Sequence, residues 1–303
     1  MRAYSFISVN FFFFGVIFPA TFIVVVTLSC LLPTDSRLLG RHSTLITAMM
    51  RPTIVIVHGY AHTPLTFTKF INLLQSCGYE TNAPFLPSCT GMRPPNNSFK
   101  DDTQLVRRLL QILVDQGKTI IMVLHSYGGI VGCEALQGLD INTRRKQGKS
   151  GGIAHLIGIA AHFCATGFKI TDIITEMGDE ESIPLAFDIK EDGSSFFQHP
   201  KLQLFGELPE NEQEELLLTL SHANWNVFES KVQFEGWRDV PLTYIHTTKD
   251  MTLPAHYQQR IMEKLKNAGV TFDVVTMETG HSAYLTKTEA CLEVINNVVS
   301  NLV

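Results

Sequence analysis

Charge is scarce in this chain and is nowhere gathered. Of its 303 residues only 17% are Asp, Glu, Lys or Arg, and 24 basic against 29 acidic side chains leave a formal net charge of −5. A nucleic-acid reader needs a basic stripe that neutralises phosphates, and none is present. The longest basic cluster, Arg144-Arg145-Lys146 with Lys149, lies among Gly148, Gly151 and Gly152 and reads as a solvated connector. Cysteine is also sparse: six residues, at 30, 77, 89, 133, 164 and 291, with no C-x-x-C and no His/Cys/Asp cluster at ligand spacing. They read as small buried hydrophobes in a reducing compartment, and no metal site is expected. No Walker sequence occurs, and no G-x-G-x-x-G follows a strand, so phosphate and dinucleotide cradles find no support and no cofactor is expected.

What the chain has is 45% apolar residues, set out as short β-branched runs alternating with helical periodicity. That alternation builds an α/β fold with a mostly parallel, doubly wound sheet. The run Thr119-Ile120-Ile121-Met122 leads into Val123-Leu124-His125-Ser126-Tyr127-Gly128-Gly129 and continues as Ile130-Val131-Gly132-Cys133-Glu134-Ala135-Leu136. Strand, sharp turn and helix in that order describe a nucleophile elbow, which holds Ser126 on a strained turn above the sheet. Gly128 and Gly129 leave room for backbone to approach backbone. The pattern departs from G-x-S-x-G at its first small position, which is Leu124.

Upstream, Pro52 to Val57 reads as a buried strand ending in His58-Gly59-Tyr60-Ala61-His62. A loop there supplies one oxyanion donor and the residue after the nucleophile supplies the other, which points to the backbone N–H groups of Tyr60 and Tyr127. Downstream, the strand Pro241 to His246 delivers Asp250, and the strand Val270 to Met277 delivers His281. A lone Asp is usually a turn former and a lone His usually structural, but Ser, Asp and His in this order, each after a strand, form a catalytic triad. Ser126 needs a base beside it to attack a carbonyl carbon, His281 would take and return its proton, and Asp250 would orient the imidazole.

These residues resemble the α/β-hydrolase fold, in the branch holding plant methylesterases, hydroxynitrile lyases and many fungal serine hydrolases. The likeness rests on His58-Gly59-Tyr60-Ala61-His62, His125-Ser126-Tyr127-Gly128-Gly129, Lys249-Asp250 and Gly280-His281-Ser282, and runs from about Pro52 onward. Fungal relatives with an apolar residue at the position of Leu124 fit the same pattern. The resemblance implies hydrolysis of a small carboxylic ester or lactone without a cofactor, with a secondary-metabolite substrate. It also leaves open non-hydrolytic use of the same site, as a lyase or cyclase or as a ligand receptor. Lyases of this branch place a Lys or a second acid near the oxyanion hole, and Lys249 is the sole nearby cation.

Between the motifs, Phe67 to Cys77 reads as an amphipathic helix, Tyr79 to Leu86 as a strand, and Ser98 with Asp101 as a capping pair. The helix they open carries Leu105, Leu109, Ile112 and Leu113 on one face, and Ile153 to Ala161 is the next strand. An insertion over about residues 166–237 changes pattern, with scattered prolines and an acidic helix start at Glu210, and reads as a helical lid. Phe197 and Trp225 in it, together with His62, are candidate pocket residues; each aromatic could equally pack the lid against the core. His125 reads as buried support.

No charged residue falls between Arg2 and Asp35. By length, residues 1–32 suit a membrane anchor better than a cleaved signal, with association through residues 4–32. Arg37, Arg41 and Arg51 then favour a single-pass anchor with the catalytic domain on the cytoplasmic side. A signal peptide remains a second reading. A third places the true start at Met49 or Met50, giving a cytoplasmic protein. Residues 33–50 read as a linker and 51–303 as the hydrolase domain.

Overall fold

The computed structural model describes residues 51–302. The expected hydrophobic segment at 1–32, the linker at 33–50 and Cys30 lie outside the described residues. Among the described residues, no helix is long and apolar enough to cross a membrane.

The β-branched runs become strands, and the apolar stripes between them become helices. The strands are β1 (Thr53–Val57), β2 (Thr81–Asn82), β3 (Thr119–His125), β4 (Gly152–Ile159), β5 (Phe187–Ile189), β6 (Ser194–Phe197), β7 (Ala223–Asn224), β8 (Leu242–Thr247) and β9 (Asp273–Met277). Six of them form one sheet in the order β2-β1-β3-β4-β8-β9, with every pairing parallel. The helices are α1 (Thr68–Ser76), α2 (Phe99–Asp115), α3 (Gly128–Ala135), α4 (Ile141–Lys146), α5 (Ile170–Met177), α6 (Ile183–Ala186), α7 (Pro200–Phe205), α8 (Glu210–Leu217), α9 (Ala255–Asn267), α10 (Ala283–Thr286) and α11 (Thr288–Asn301).

Strands β1 and β8 are buried throughout, and β3 and β4 at all but one residue each. Both faces of the sheet are therefore covered, which is why these strands are continuous rather than alternating apolar runs. From β1 the chain first adds β2 on one side and then crosses to β3 on the other. The crevice at the carboxyl ends of β1 and β3 is thus the topological switch point, where open α/β sheets bind their ligands.

Three local expectations are corrected. The strand expected at Tyr79–Leu86 shrinks to Thr81–Asn82 at the sheet edge. Pro84 has no N–H for a ladder, and the Leu86 N–H donates to His58 Nε2 at 3.1 Å instead. Helix α2 opens with the expected Ser98–Asp101 capping box, but it buries Phe99, Asp102, Thr103, Val106, Leu110 and Leu113, while Ile112 is exposed. A buried aspartate in the stripe rotates the face by one position. The basic cluster is not wholly solvated either. Arg144 is buried and donates to the carbonyls of Val114, Ser150 and Gly151 and to Asp115 Oδ1 at 2.9–3.1 Å. Val114 lies in the last turn of α2, whose carbonyls have no partner within the helix.

The segment between β4 and β8 adds to helices α5–α8 an antiparallel sheet in the order β5-β6-β7. It is tied to the loop after β1 at several points. Thr63 Oγ1 donates to the Thr219 carbonyl at 2.8 Å, the Ser221 N–H to the Ala61 carbonyl at 2.9 Å, and Tyr60 Oη lies 2.5 Å from Ser195 Oγ. Of the five described cysteines all are free; Cys89, Cys133 and Cys291 are buried and Cys77 and Cys164 half-buried.

Candidate active site

Ser126 follows β3 directly and has φ of 52°, in the left-handed region. For a residue with a Cβ that conformation costs about 1–2 kcal/mol, so the surroundings must impose it. They do so from three sides. The Ser126 N–H donates to the Ile159 carbonyl at 3.1 Å, while its own carbonyl accepts from Gly129 and His162, each at 3.0 Å. A Cβ at Gly128 would stand 2.2 Å from the Val57 carbonyl oxygen, so the turn is closed to any larger residue there.

The departure at Leu124 has a local answer. A Cβ on Gly132, one turn into α3, would lie 2.3 Å from Leu124 Cδ2. The small residue that lets helix and strand approach has moved from the strand to the helix, and Leu124 fills the space it leaves.

Asp250 and His281 meet after β8 and β9. The His281 Nδ1–H donates to Asp250 Oδ2 at 2.8 Å. The same carboxylate accepts from Thr247 Oγ1 and Gln258 Nε2 at Oδ2, and from the Thr252 and Leu253 N–H groups at Oδ1. Five donors leave it acceptor-only and fix the imidazole tautomer, so that His281 Nε2 carries the lone pair. That nitrogen is buried and has no hydrogen-bond partner among the described residues. Neither the Tyr60 N–H nor the Tyr127 N–H is taken by another described group. Helix α3 begins at the next residue and turns its N-terminus toward this space.

Further imidazoles stand around His281. His62, His125 and His281 form a row with ring centroids 5.1 and 4.6 Å apart. The His62 Nδ1–H donates to the Tyr60 carbonyl at 2.7 Å and the His125 Nε2–H to the His281 carbonyl at 3.2 Å. Burial pushes His62 down to about 3 and holds His125 well below its ordinary value, so both are neutral supports.

A cavity of about 120 Å³ opens beside Ser126, walled by Tyr60, Ile170, Phe187, Phe197, Phe228 and Leu253 among others. Phe197 is among its lining residues. His62 and Trp225 stand one layer back: His62 is fully buried behind Tyr60, and Trp225 packs on Phe187 and Phe228 at 5.3 and 5.0 Å. Lys249 is exposed and paired with Glu278 at 3.0 Å.

Sequence reasoning missed three contributors. Gln258 braces Asp250 from α9, and no spacing rule links a helix to the loop before it. Asp102 is fully buried and accepts from Tyr127 Oη at 2.6 Å and from the Ser88 hydroxyl and N–H at 2.6 and 2.9 Å, which anchors the residue after Ser126. His162 lines the Ser126 cavity. Its place just past the end of β4 was a readable signal, since ligands gather at the carboxyl ends of strands.

Known proteins share this architecture. The "Alpha/beta hydrolase nvfD" of Aspergillus novofumigatus is 23% identical over 258 residues, covering 84% of this chain and 99% of that protein. Polyneuridine aldehyde esterase superposes with a TM-score of 0.64 at 17% identity, over 82% of this chain and 99% of that one. Tomato methylketone synthase I does so with a TM-score of 0.66 at 14% identity, over 84% and 99%. The alpha/beta hydrolase family model matches residues 54–294. With the switch-point crevice, the elbow and the braced imidazole at one end of the sheet, the chain belongs to the alpha/beta hydrolase family.

Proposed function

We propose that the protein is a serine hydrolase that cleaves a small carboxylic ester or lactone through an acyl-enzyme. The observation that carries this reading is the pair of preset groups at one end of the sheet. Ser126 is held at φ 52° on the elbow, and His281 is locked by a five-donor carboxylate with its Nε2 free. Neither arrangement is needed for a stable fold, and the first costs stability.

In this reading Ser126 Oγ bonds to the substrate carbonyl carbon while its proton passes to His281 Nε2. The carbonyl oxygen becomes an oxyanion facing the Tyr60 and Tyr127 N–H groups, and losing one such donor typically costs about 10²–10³ in turnover. Collapse breaks the C–O bond, and the leaving alcohol takes the proton from His281. Water then attacks the acyl carbon, giving its proton to His281, which returns one to Ser126 as the acid departs. Asp250 stabilises the imidazolium in both halves. A secondary-metabolite substrate is the expectation carried by the resemblance of the motif residues to fungal serine hydrolases.

The second reading keeps the site but not the hydrolysis: a lyase, cyclase or ligand receptor. The likeness to a protein named as a synthase keeps it in play. The test is to react the chain and its Ser126→Ala variant with a fluorophosphonate, read intact mass, and assay p-nitrophenyl esters. Labelling and turnover in the parent alone support the hydrolase. Labelling without turnover moves the weight to a non-hydrolytic reaction, and no labelling of folded protein removes Ser126 as nucleophile.

A further inference from the structure

Two cavities lie back to back beside the triad. The one holding Ser126 has about 120 Å³, and its neighbour has about 360 Å³. They share only His162 and Ile173. The larger one is walled by Phe163, Phe168, Trp237 and Leu265, and its cations are already engaged: Lys169 with Glu229, and Lys264 and Arg260 with Glu176. It offers an anion no free charge and suits apolar chain.

Resting on the serine-hydrolase reading, we infer that His162 and Ile173 form a partition that limits the acyl group of the ester to a short one, by closing the Ser126 cavity off from the larger apolar chamber behind it. Three observations make His162 the governing member. Its backbone is fixed, since its N–H donates to the Ser126 carbonyl at 3.0 Å and its own carbonyl oxygen would lie 2.3 Å from a Cβ on Gly129. Its ring is not hydrogen-bonded to another described residue, so only its volume holds the wall. Burial pushes it down to about 3, and a neutral ring can line an apolar chamber without the cost of a buried charge.

The acyl group, rather than the alcohol, meets this wall. The leaving oxygen must take its proton from His281. His281 lines a different cavity, of about 190 Å³, with Gln203, Glu207 and Met251, whereas the acyl group stays bonded to Ser126.

The experiment is a p-nitrophenyl ester series from acetate to dodecanoate, run on the parent, His162→Ala, Ile173→Ala and His162→Gln. The parent should peak at a short acyl group. His162→Ala should raise the decanoate-to-butyrate ratio of kcat/KM by about 10–100-fold, because each methylene given room is worth about ten-fold or more. His162→Gln, similar in reach, should keep the parent profile. A parent that prefers long chains, or a folded, fluorophosphonate-labelled His162→Ala with an unchanged profile, overturns the partition. If His162→Ala does not fold, Ile173→Ala opens the same wall and is judged by the same ratio. Absence of any Ser126-dependent turnover would sink the hydrolase reading instead. The partition is then judged without turnover, by quenching of Trp237 with a bromoalkyl amide in a Trp225→Phe background. Quenching should appear on opening the wall; equal quenching in both proteins refutes the partition.

Discussion

The Leu124–Gly132 contact makes a quantitative demand on stability. In an open helix Gly→Ala stabilises by about 1 kcal/mol, because alanine loses less backbone entropy. At position 132 the new methyl would enter space held by Leu124 Cδ2, 2.3 Å away, with Leu124 Cδ1 and Met122 Cε each at 3.2 Å. All three atoms belong to buried side chains, and overpacking of such a site costs about 1–3 kcal/mol, so Gly132→Ala should be net destabilising. Leu124→Ala alone should cost about 2–5 kcal/mol through its lost burial and the cavity left behind. In the double variant the alanine methyl occupies part of that cavity and the helix gain is recovered. The double variant should therefore be more stable than the sum of singles by about 2 kcal/mol, within the usual range for residues in contact. Urea unfolding of the four proteins measures the cycle. Gly132→Ala that stabilises the parent, or singles that add within about 0.5 kcal/mol, would refute the compensation.

Two further outcomes follow from the site. Burial pushes His58 and His155 down to about 4, His62 and His162 down to about 3, and His125 well below its ordinary value. The unfolded chain therefore binds more protons than the folded one between pH 6.5 and about 4, so stability is full above that window and is lost as pH falls through it. Asp102, raised to about 6 by burial, acts in the opposite direction but is outnumbered by the lowered imidazoles, so unfolding takes up protons near pH 5 and stability falls with pH there. Urea unfolding at pH 7, 6 and 5 checks this, and a flat profile would mean the imidazoles are hydrated. Separately, Ser126→Gly should melt above Ser126→Ala. Relief of a left-handed φ of 52° is worth about 1–2 kcal/mol against about 0.5–1 for glycine's extra unfolded entropy. Equal melting temperatures would show that the turn stores no strain.

The sequence carried the parts of this molecule that local rules govern. Four central strands were readable because a strand covered on both faces must be continuously apolar. The segments carrying Ser126 and Asp250 follow such strands, the one carrying His281 follows the mostly exposed edge strand β9, and the parallel order brings all three to one end of the sheet. Errors arose where a tertiary partner overrode the pattern. Helix α2 was turned by one position because Asp102, a charged residue outside the apolar pattern, is buried to receive Tyr127 and Ser88. Arg144 was read as solvated because one of the carbonyls it binds, that of Val114, belongs to a helix end thirty residues away. Strand β2 was overextended because an edge strand has one neighbour to hold it, and the His58 ring claimed the Leu86 N–H.

The same distinction governs the pocket. Phe197, His62 and Trp225 are equivalent as sequence features, yet one lines the cavity and two stand behind it, a difference of a single side-chain layer. Burial does not separate the roles, since Phe197 and His62 are both buried. What separates them is which element each belongs to and what lies in front of it. Phe197 ends β6, a strand held over the site where Tyr60 Oη meets Ser195 Oγ at 2.5 Å. His62 sits beyond Tyr60 on the same loop, fully buried and outside the cavity lining. Tyr60, whose N–H faces the oxyanion in the proposed mechanism, thus also anchors, through its side chain, the strand that carries Phe197. A change in how the segment between β4 and β8 packs is therefore transmitted to the donor itself, and selectivity and turnover in this fold should vary together when Tyr60 or Ser195 is altered.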